Sequence, residues 1–204
     1  MKKIFAILVL LIAAKEKNYA QPFSSTLNKF MIGYEVAVPS GDFLSKTSWA
    51  GGRIEYRHMV QPNVSIGMGM SWNSFDEYVP KTTYQKPDGS GAVTTDLVKE
   101  IYTLPLTLSA HYYWIKSKGI IPYAGLGLGA QYSDQTLYFN IFAVEDNNWG
   151  FVARPEIGIV YPLSDATGLY LSAAYNYATN KNEAVDINNV SQFAFTIGFI
   201  FSSR

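Results

Sequence analysis

Charged residues in this chain recur at a spacing of two. Arg53, Glu55 and Arg57 form one such run, Arg154 and Glu156 a second, and Glu35 stands alone. In an extended strand a spacing of two puts side chains on one face, so each run presents its charges together. Two kinds of chemistry suit such a set. Held away from water, equal numbers of acids and bases neutralise one another, because a desolvated charge needs a partner. Kept wet, the same groups line an ion path or a gate. Ser109 and His111 repeat the spacing and bring a nucleophile and a base to one face. A hydrolase would need an acid to orient the base and a substrate path to both. His58 and His111 are the two histidines, and their opposite parity gives no metal site. Gly125, Gly127 and Gly129 alternate along one strand face, which serves close packing of backbone rather than phosphate binding.

The elements that must carry these residues are eight stretches with a period-two apolar pattern, at 29–38, 50–60, 64–75, 98–114, 121–132, 149–161, 169–179 and 190–202. In the third, Val64, Ile66, Met68, Met70 and Trp72 alternate with Ser65, Gly67, Gly69, Ser71 and Asn73; in the last, Phe193, Phe195, Ile197, Phe199 and Phe201 alternate with Ala194, Thr196 and Gly198. Strict alternation over such lengths marks a sheet between two environments. The interior of an eight-stranded barrel is just wide enough for side chains. The bulky face would overfill it, whereas Gly, Ser, Thr and a few charges fit. The apolar face therefore points outward, and lipid is the surrounding that tolerates it. Gaps between the stretches alternate long and short, as in a barrel inserted from one side of a membrane. The fold expected is all-β, an eight-stranded antiparallel up-and-down transmembrane barrel. Glu35, Arg53, Glu55, Arg57, Arg154 and Glu156 then face the lumen as a structural charge network. Pairing Val38 with Ala50 sets Glu35 opposite Arg53.

Composition agrees. Of 204 residues, 48% are hydrophobic and 15% aromatic, while 16% are charged, against about 25% in ordinary soluble proteins. Met1-Lys2-Lys3 followed by the apolar run Ile4 to Ala14 reads as an export signal, too short to span a bilayer as a helix. Cleavage is expected between Ala20 and Gln21, dividing the chain into a signal at 1–20 and one barrel domain at 21–204. The signal takes with it Lys2, Lys3, Lys15, Lys17 and Glu16 from a balanced 16 bases and 16 acids, leaving a net charge of about −3. That balance excludes a nucleic-acid role. With no cysteine, no disulfide framework or thiol chemistry is available. No cofactor is implied.

Trp72, Tyr102, Tyr132, Trp149, Phe151 and Tyr177 fall near the long-gap ends of their strands, and Phe30, Tyr112, Trp114, Tyr161 and Phe201 near the short-gap ends. Two such clusters read as aromatic girdles at the two water–lipid boundaries. The longest gap, 74–97, has flanks (Tyr78, Val79, Tyr84, Val93, Leu97) able to extend two strands as a hairpin. The gap at 133–148 holds Leu137-Tyr138-Phe139-Asn140-Ile141-Phe142, apolar enough to fold onto the barrel mouth or to act as a contact surface.

Local phrases add a family likeness: Pro39-Ser40-Gly41-Asp42-Phe43, Leu104-Pro105-Leu106-Thr107-Leu108, Pro122-Tyr123-Ala124-Gly125-Leu126-Gly127-Leu128-Gly129, Arg154-Pro155-Glu156-Ile157-Gly158 and the terminal Phe195-Thr196-Ile197-Gly198-Phe199-Ile200-Phe201. Over 29–202 the chain resembles the small outer-membrane β-barrel domain family, the OmpX-like and OmpA-transmembrane-domain-like proteins. The resemblance implies residence in the outer membrane of a Gram-negative-type cell, with membrane lipid and the barrel-insertion machinery as partners. It implies a monomer with a structural or surface-interaction role, binding any ligand or protein at loops 74–97 and 133–148. Ser202-Ser203-Arg204 after Phe201 depart from the aromatic ending usual in the family's insertion signal. A narrow small-solute channel is the alternative, and a lipid-modifying barrel enzyme a weaker one. Lipid-A deacylase barrels place their histidine before the serine on the lipid-facing wall. Ser109 and His111 have the reverse order and face inward.

Leu106 is mid-strand on the apolar face. Leu106→Arg is predicted to destabilise the barrel in lipid by roughly 2–4 kcal/mol, the cost of a cation at the bilayer midplane, whereas Thr107→Ser is silent. Unchanged urea resistance of Leu106→Arg would reverse the inside–outside assignment.

Overall fold

The computed structural model describes residues 27–40, 45–85, 91–114, 119–139, 142–181 and 189–203. The expected signal segment and its cleavage point lie outside them. Eight strands follow one another: β1 (Asn28–Pro39), β2 (Ser48–Gln61), β3 (Val64–Gln85), β4 (Ala92–Tyr113), β5 (Ile121–Phe139), β6 (Phe142–Pro162), β7 (Thr167–Ala178) and β8 (Gln192–Ser203). Each pairs antiparallel with the next, and β8 pairs with β1 to close the barrel. Closure is what a sheet in lipid requires, since an open edge would leave N–H and C=O groups without water or partner.

Alternation sets the two faces. Leu108, Ile157 and Met68 are at least 60% exposed on the outside, while their neighbours Ser109, Glu156 and Thr107 are buried within. At the short-turn end Tyr112 and Trp114 stack edge to face with centroids 5.3 Å apart, and toward the other end Tyr132 and Trp149 lie at 5.4 Å. Gly119, at φ 122° in the turn between β4 and β5, occupies a region that L side chains rarely adopt.

Strand lengths divide the barrel into a low and a high half. β1, β2, β7 and β8 run 12–14 residues, whereas β3 to β6 run 19–22. The flanks of the 74–97 gap extend β3 and β4, pairing as far as Gln85↔Ala92. Within the 133–148 segment, the described residues 133–139 and 142–148 do not fold onto the mouth. They continue β5 and β6 in unbroken register from Tyr132↔Trp149 to Phe139↔Phe142. The two halves satisfy their backbone by pairing with each other. β4 and β5 also stay paired up to Leu97↔Phe139. The result is a four-stranded wall rising above one side of the barrel. Ser45, in the segment between β1 and β2, leans on it: its backbone N–H and its Oγ donate to the Glu77 carboxylate at 3.0 and 2.6 Å.

The expected register between β1 and β2 is off by two residues. Glu35 sits opposite Gly51, Arg53 opposite Gly33, and Ala37 opposite Ser48, with a bulge between Glu35 and Ala37. A slip of two preserves which side chains face inward but changes who meets whom.

The start of β1 and the end of β8 lie at the end of the barrel where β2 meets β3 and β6 meets β7, and the long extensions of β3 to β6 lie at the other. A tag inserted at Gly89 is predicted to be labelled on intact cells and one at Gly119 to be shielded; the opposite pattern would invert the insertion.

Candidate functional site: the lumen

All six charged residues identified by parity are buried in the lumen, each no more than 4% exposed. They form one connected network. Arg53 and Arg57 both hold Glu55 Oε2, at 2.8 and 2.9 Å. The same Arg57 nitrogen reaches Glu156 Oε1 at 2.8 Å. Arg154 binds Glu35 Oε2 at 2.8 Å and approaches Glu156 Oε2 at 3.5 Å. Glu156 therefore joins the two halves. Glu35 is paired not with Arg53 or Arg57 but with Arg154, 119 residues further along the chain. The register is the reason: opposite Gly51 rather than Arg53, Glu35 is turned across the lumen toward β6.

Neutral groups complete the carboxylates' shells, as buried ions require. Asn73 Nδ2 and Thr196 Oγ1 each donate to Glu35 at 2.9 Å, Ser109 Oγ to Glu55 Oε1 at 3.0 Å, and Tyr123 OH to Glu156 Oε1 at 2.9 Å. Arg154 also donates to Asn176 Oδ1 at 2.9 Å, and Arg57 to Tyr113 OH at 3.0 Å. The Arg57 guanidinium lies 4.6 Å from the Tyr123 ring centroid. Inward parity was visible for Asn73, Ser109, His111 and Thr196. Their ties to particular acids were not, because those ties cross from one strand to a distant one. The aromatic partners Tyr113 and Tyr123 carry no charge signal in the sequence.

Glycine makes the crossing possible. A Cβ at Gly125 would strike the His111 imidazole, and one at Gly158 would meet the Tyr123 ring at 2.6 Å. The alternating glycines leave space over which neighbouring strands lay large side chains flat.

His111 and Ser109 lie together with an acid, since Glu55 Oε1 accepts from Ser109 and stands 3.5 Å from His111 Nε2. The serine hydroxyl is committed to the carboxylate rather than to the imidazole. Ser109, His111 and Glu55 are each 7% exposed or less. Glu55, His111 and Glu156 also place potential ligand atoms within 4.8 Å of one another. Their carboxylates are already bonded by guanidinium donors that a divalent ion would have to displace and then sit beside.

Above and below the ions, apolar clusters share the lumen with buried polar side chains, among them Lys29 and Ser65 toward one end and Gln131, Ser133 and Gln135 toward the other. Met31, Met59, Tyr113, Ile121, Tyr123, Val160, Tyr170 and Ile200 cluster at the short-turn end. At the other end Ala37, Phe75, Ile101 and Val190 cluster. Just beneath that second cluster Gln131 donates to the carbonyl of Val190 at 3.2 Å, and Asn180 Nδ2 bonds the carbonyls of Gln131 and Asn148 at 3.0 and 3.2 Å.

Residues 4–201 match the family model described as outer membrane protein beta-barrel domain. The chain belongs to that family. Among solved structures it is similar to Neisserial surface protein A, with a TM-score of 0.56 at 15% identity, covering 86% of this chain and 96% of the other. The outer membrane protein OprG from Pseudomonas aeruginosa gives 0.52 at 14% identity, covering 86% and 95%. Ail, the attachment invasion locus protein of Yersinia pestis, gives 0.51 at 11% identity, covering 86% and 97%. No curated protein sequence matches the chain. At these identities the likeness is one of fold. Membership of the family places this eight-stranded barrel in the outer membrane of a Gram-negative-type cell.

The Glu35–Arg154 pair yields a sharp prediction. Glu35→Gln or Arg154→Gln alone strands a buried charge and should cost about 3–5 kcal/mol, whereas the double change should cost much less. Urea titrations of the four proteins in lipid give the coupling. Additive losses would mean that the two groups do not act as a pair.

Proposed function

We propose that this protein is a non-enzymatic outer-membrane barrel with a side-chain-plugged lumen, acting as a structural or surface-interaction protein through the hairpins at its tall end. The observation that carries the reading is the layering of the lumen. A neutral set of three acids and three arginines crosses the bore, with an apolar cluster toward each end. An ion entering would have to pass an apolar cluster toward each end and then compete with guanidinium groups for every carboxylate. The orientation that goes with this reading puts the short turns in the periplasm and the wall outside. Chemistry available to a partner is then on β3 to β6 beyond the girdle, where loops on a rigid scaffold commonly carry function.

Reconstituted in a planar bilayer, the barrel is predicted to show no discrete conductance steps. A barrel whose wall is cut back to a tight turn after Ser74 and before Tyr102, and another after Tyr132 and before Trp149, should still fold but lose its surface partner. Steady single-channel steps that change on Glu35→Gln would replace the plugged reading with a narrow conductor.

A further inference from the structure

The lower part of the wall's outward face, at and just above the girdle, carries charge of one sign. Three successive rows from the girdle upward are fixed by the strand registers: Ser74–Tyr102–Asp134–Asn147, Asp76–Glu100–Thr136–Glu145 and Tyr78–Val98–Tyr138–Ala143. Those twelve positions hold four carboxylates, three tyrosines and no cation. Asp76 and Glu100 are direct cross-strand neighbours, an arrangement that costs stability in an isolated sheet. Among the described residues no ion pair reaches Asp76, Glu100, Asp134 or Glu145. Tyr78 is 53% exposed and Tyr138 39%, flanking Val98 in the row above the acids. This contrasts with the lumen, where every acid is matched.

We propose that this face docks a Lys/Arg-rich protein segment running along the membrane surface, its cations against the carboxylate row and its apolar stems on Tyr78, Val98 and Tyr138. The inference rests on the surface-interaction reading above and names the partner's chemistry. Charge complementarity selects the occupant. A second copy would set acids against acids, and anionic lipid headgroups would be repelled. Height fits as well, because at the strand rise the acidic row stands about 5 Å and the tyrosine row about 10 Å above Tyr102. The tyrosines add rigid surface that packs lysine stems and can face their cations.

The test uses the full barrel in phosphatidylcholine nanodiscs and a fluorescent Lys/Leu/Gly peptide, with empty discs as baseline and the lysine-acetylated peptide as control. Binding above baseline is expected with the unmodified peptide only. It should weaken about tenfold in the Asp76→Asn, Glu100→Gln, Glu145→Gln triple variant, as expected from a few surface pairs, and fall with added salt. Tyr78→Ala should weaken it at unchanged salt dependence, and Asp165→Asn at the short-turn end should leave it alone. Equal affinity of wild type and triple variant would overturn the proposal. So would tight binding of Ca²⁺ alone that blocks the peptide, since the acids would then be a metal site. If cutting back the wall abolishes recognition of the surface partner while the triple variant retains it, the surface-interaction reading stands and the basic partner falls.

Discussion

A closed sheet of eight strands in lipid imposes a narrow bore, and the rest of this molecule answers that constraint. The backbone must close on itself because the bilayer offers no hydrogen-bond partners. Closing at eight strands leaves room for side chains alone. Large apolar residues are forced outward, small ones inward, and any charge turned inward must find an opposite charge within the same few ångströms. The Glu55–Arg57–Glu156–Arg154–Glu35 chain of contacts is the outcome. It ties β1, β2 and β6 together across the bore, with β4, β5 and β8 joined through Ser109, Tyr123 and Thr196.

Such a network is costly to break and not obviously stabilising to have. Replacing a buried ionic set by well-packed apolar residues is often neutral or favourable. Its contacts bear on register. Glu35 accepts from three donors on other strands, Glu156 from two and Glu55 from one, so a slip by two residues would leave hydrogen bonds unmade even though inward and outward faces were preserved. The glycines opposite His111 and Tyr123 act in the same sense, admitting a large ring at one position and not at its neighbour.

The tall half of the barrel obeys different rules. Once β3 to β6 leave the membrane, the apolar face no longer has lipid to meet, and its residues change: carboxylates appear on the outward rows and tyrosines remain exposed among them. Charge that is neutralised inside is left unmatched outside. The fold thus separates a body whose acids are matched inside from a projecting surface whose acids are not.

Alternation by itself determined the architecture. Val64 to Trp72 and Phe193 to Phe201 state which face is apolar, and lumen width decides which way that face must point. The inward position of Glu35, Arg53, Glu55, Arg57, Arg154 and Glu156 followed from parity alone. Partners did not follow, because pairing depends on register and on the pitch at which strands wind round the barrel, neither of which a period-two pattern records. Glu35 meets Arg154 rather than Arg53 owing to a bulge and a two-residue shift that leave the pattern unchanged. The 133–148 segment was legible as apolar, yet its pairing as two strands emerged only once β4 offered a continuing edge for β5. Local sequence sets which face a residue takes; only closure of the sheet brings residues more than a hundred positions apart within hydrogen-bonding distance.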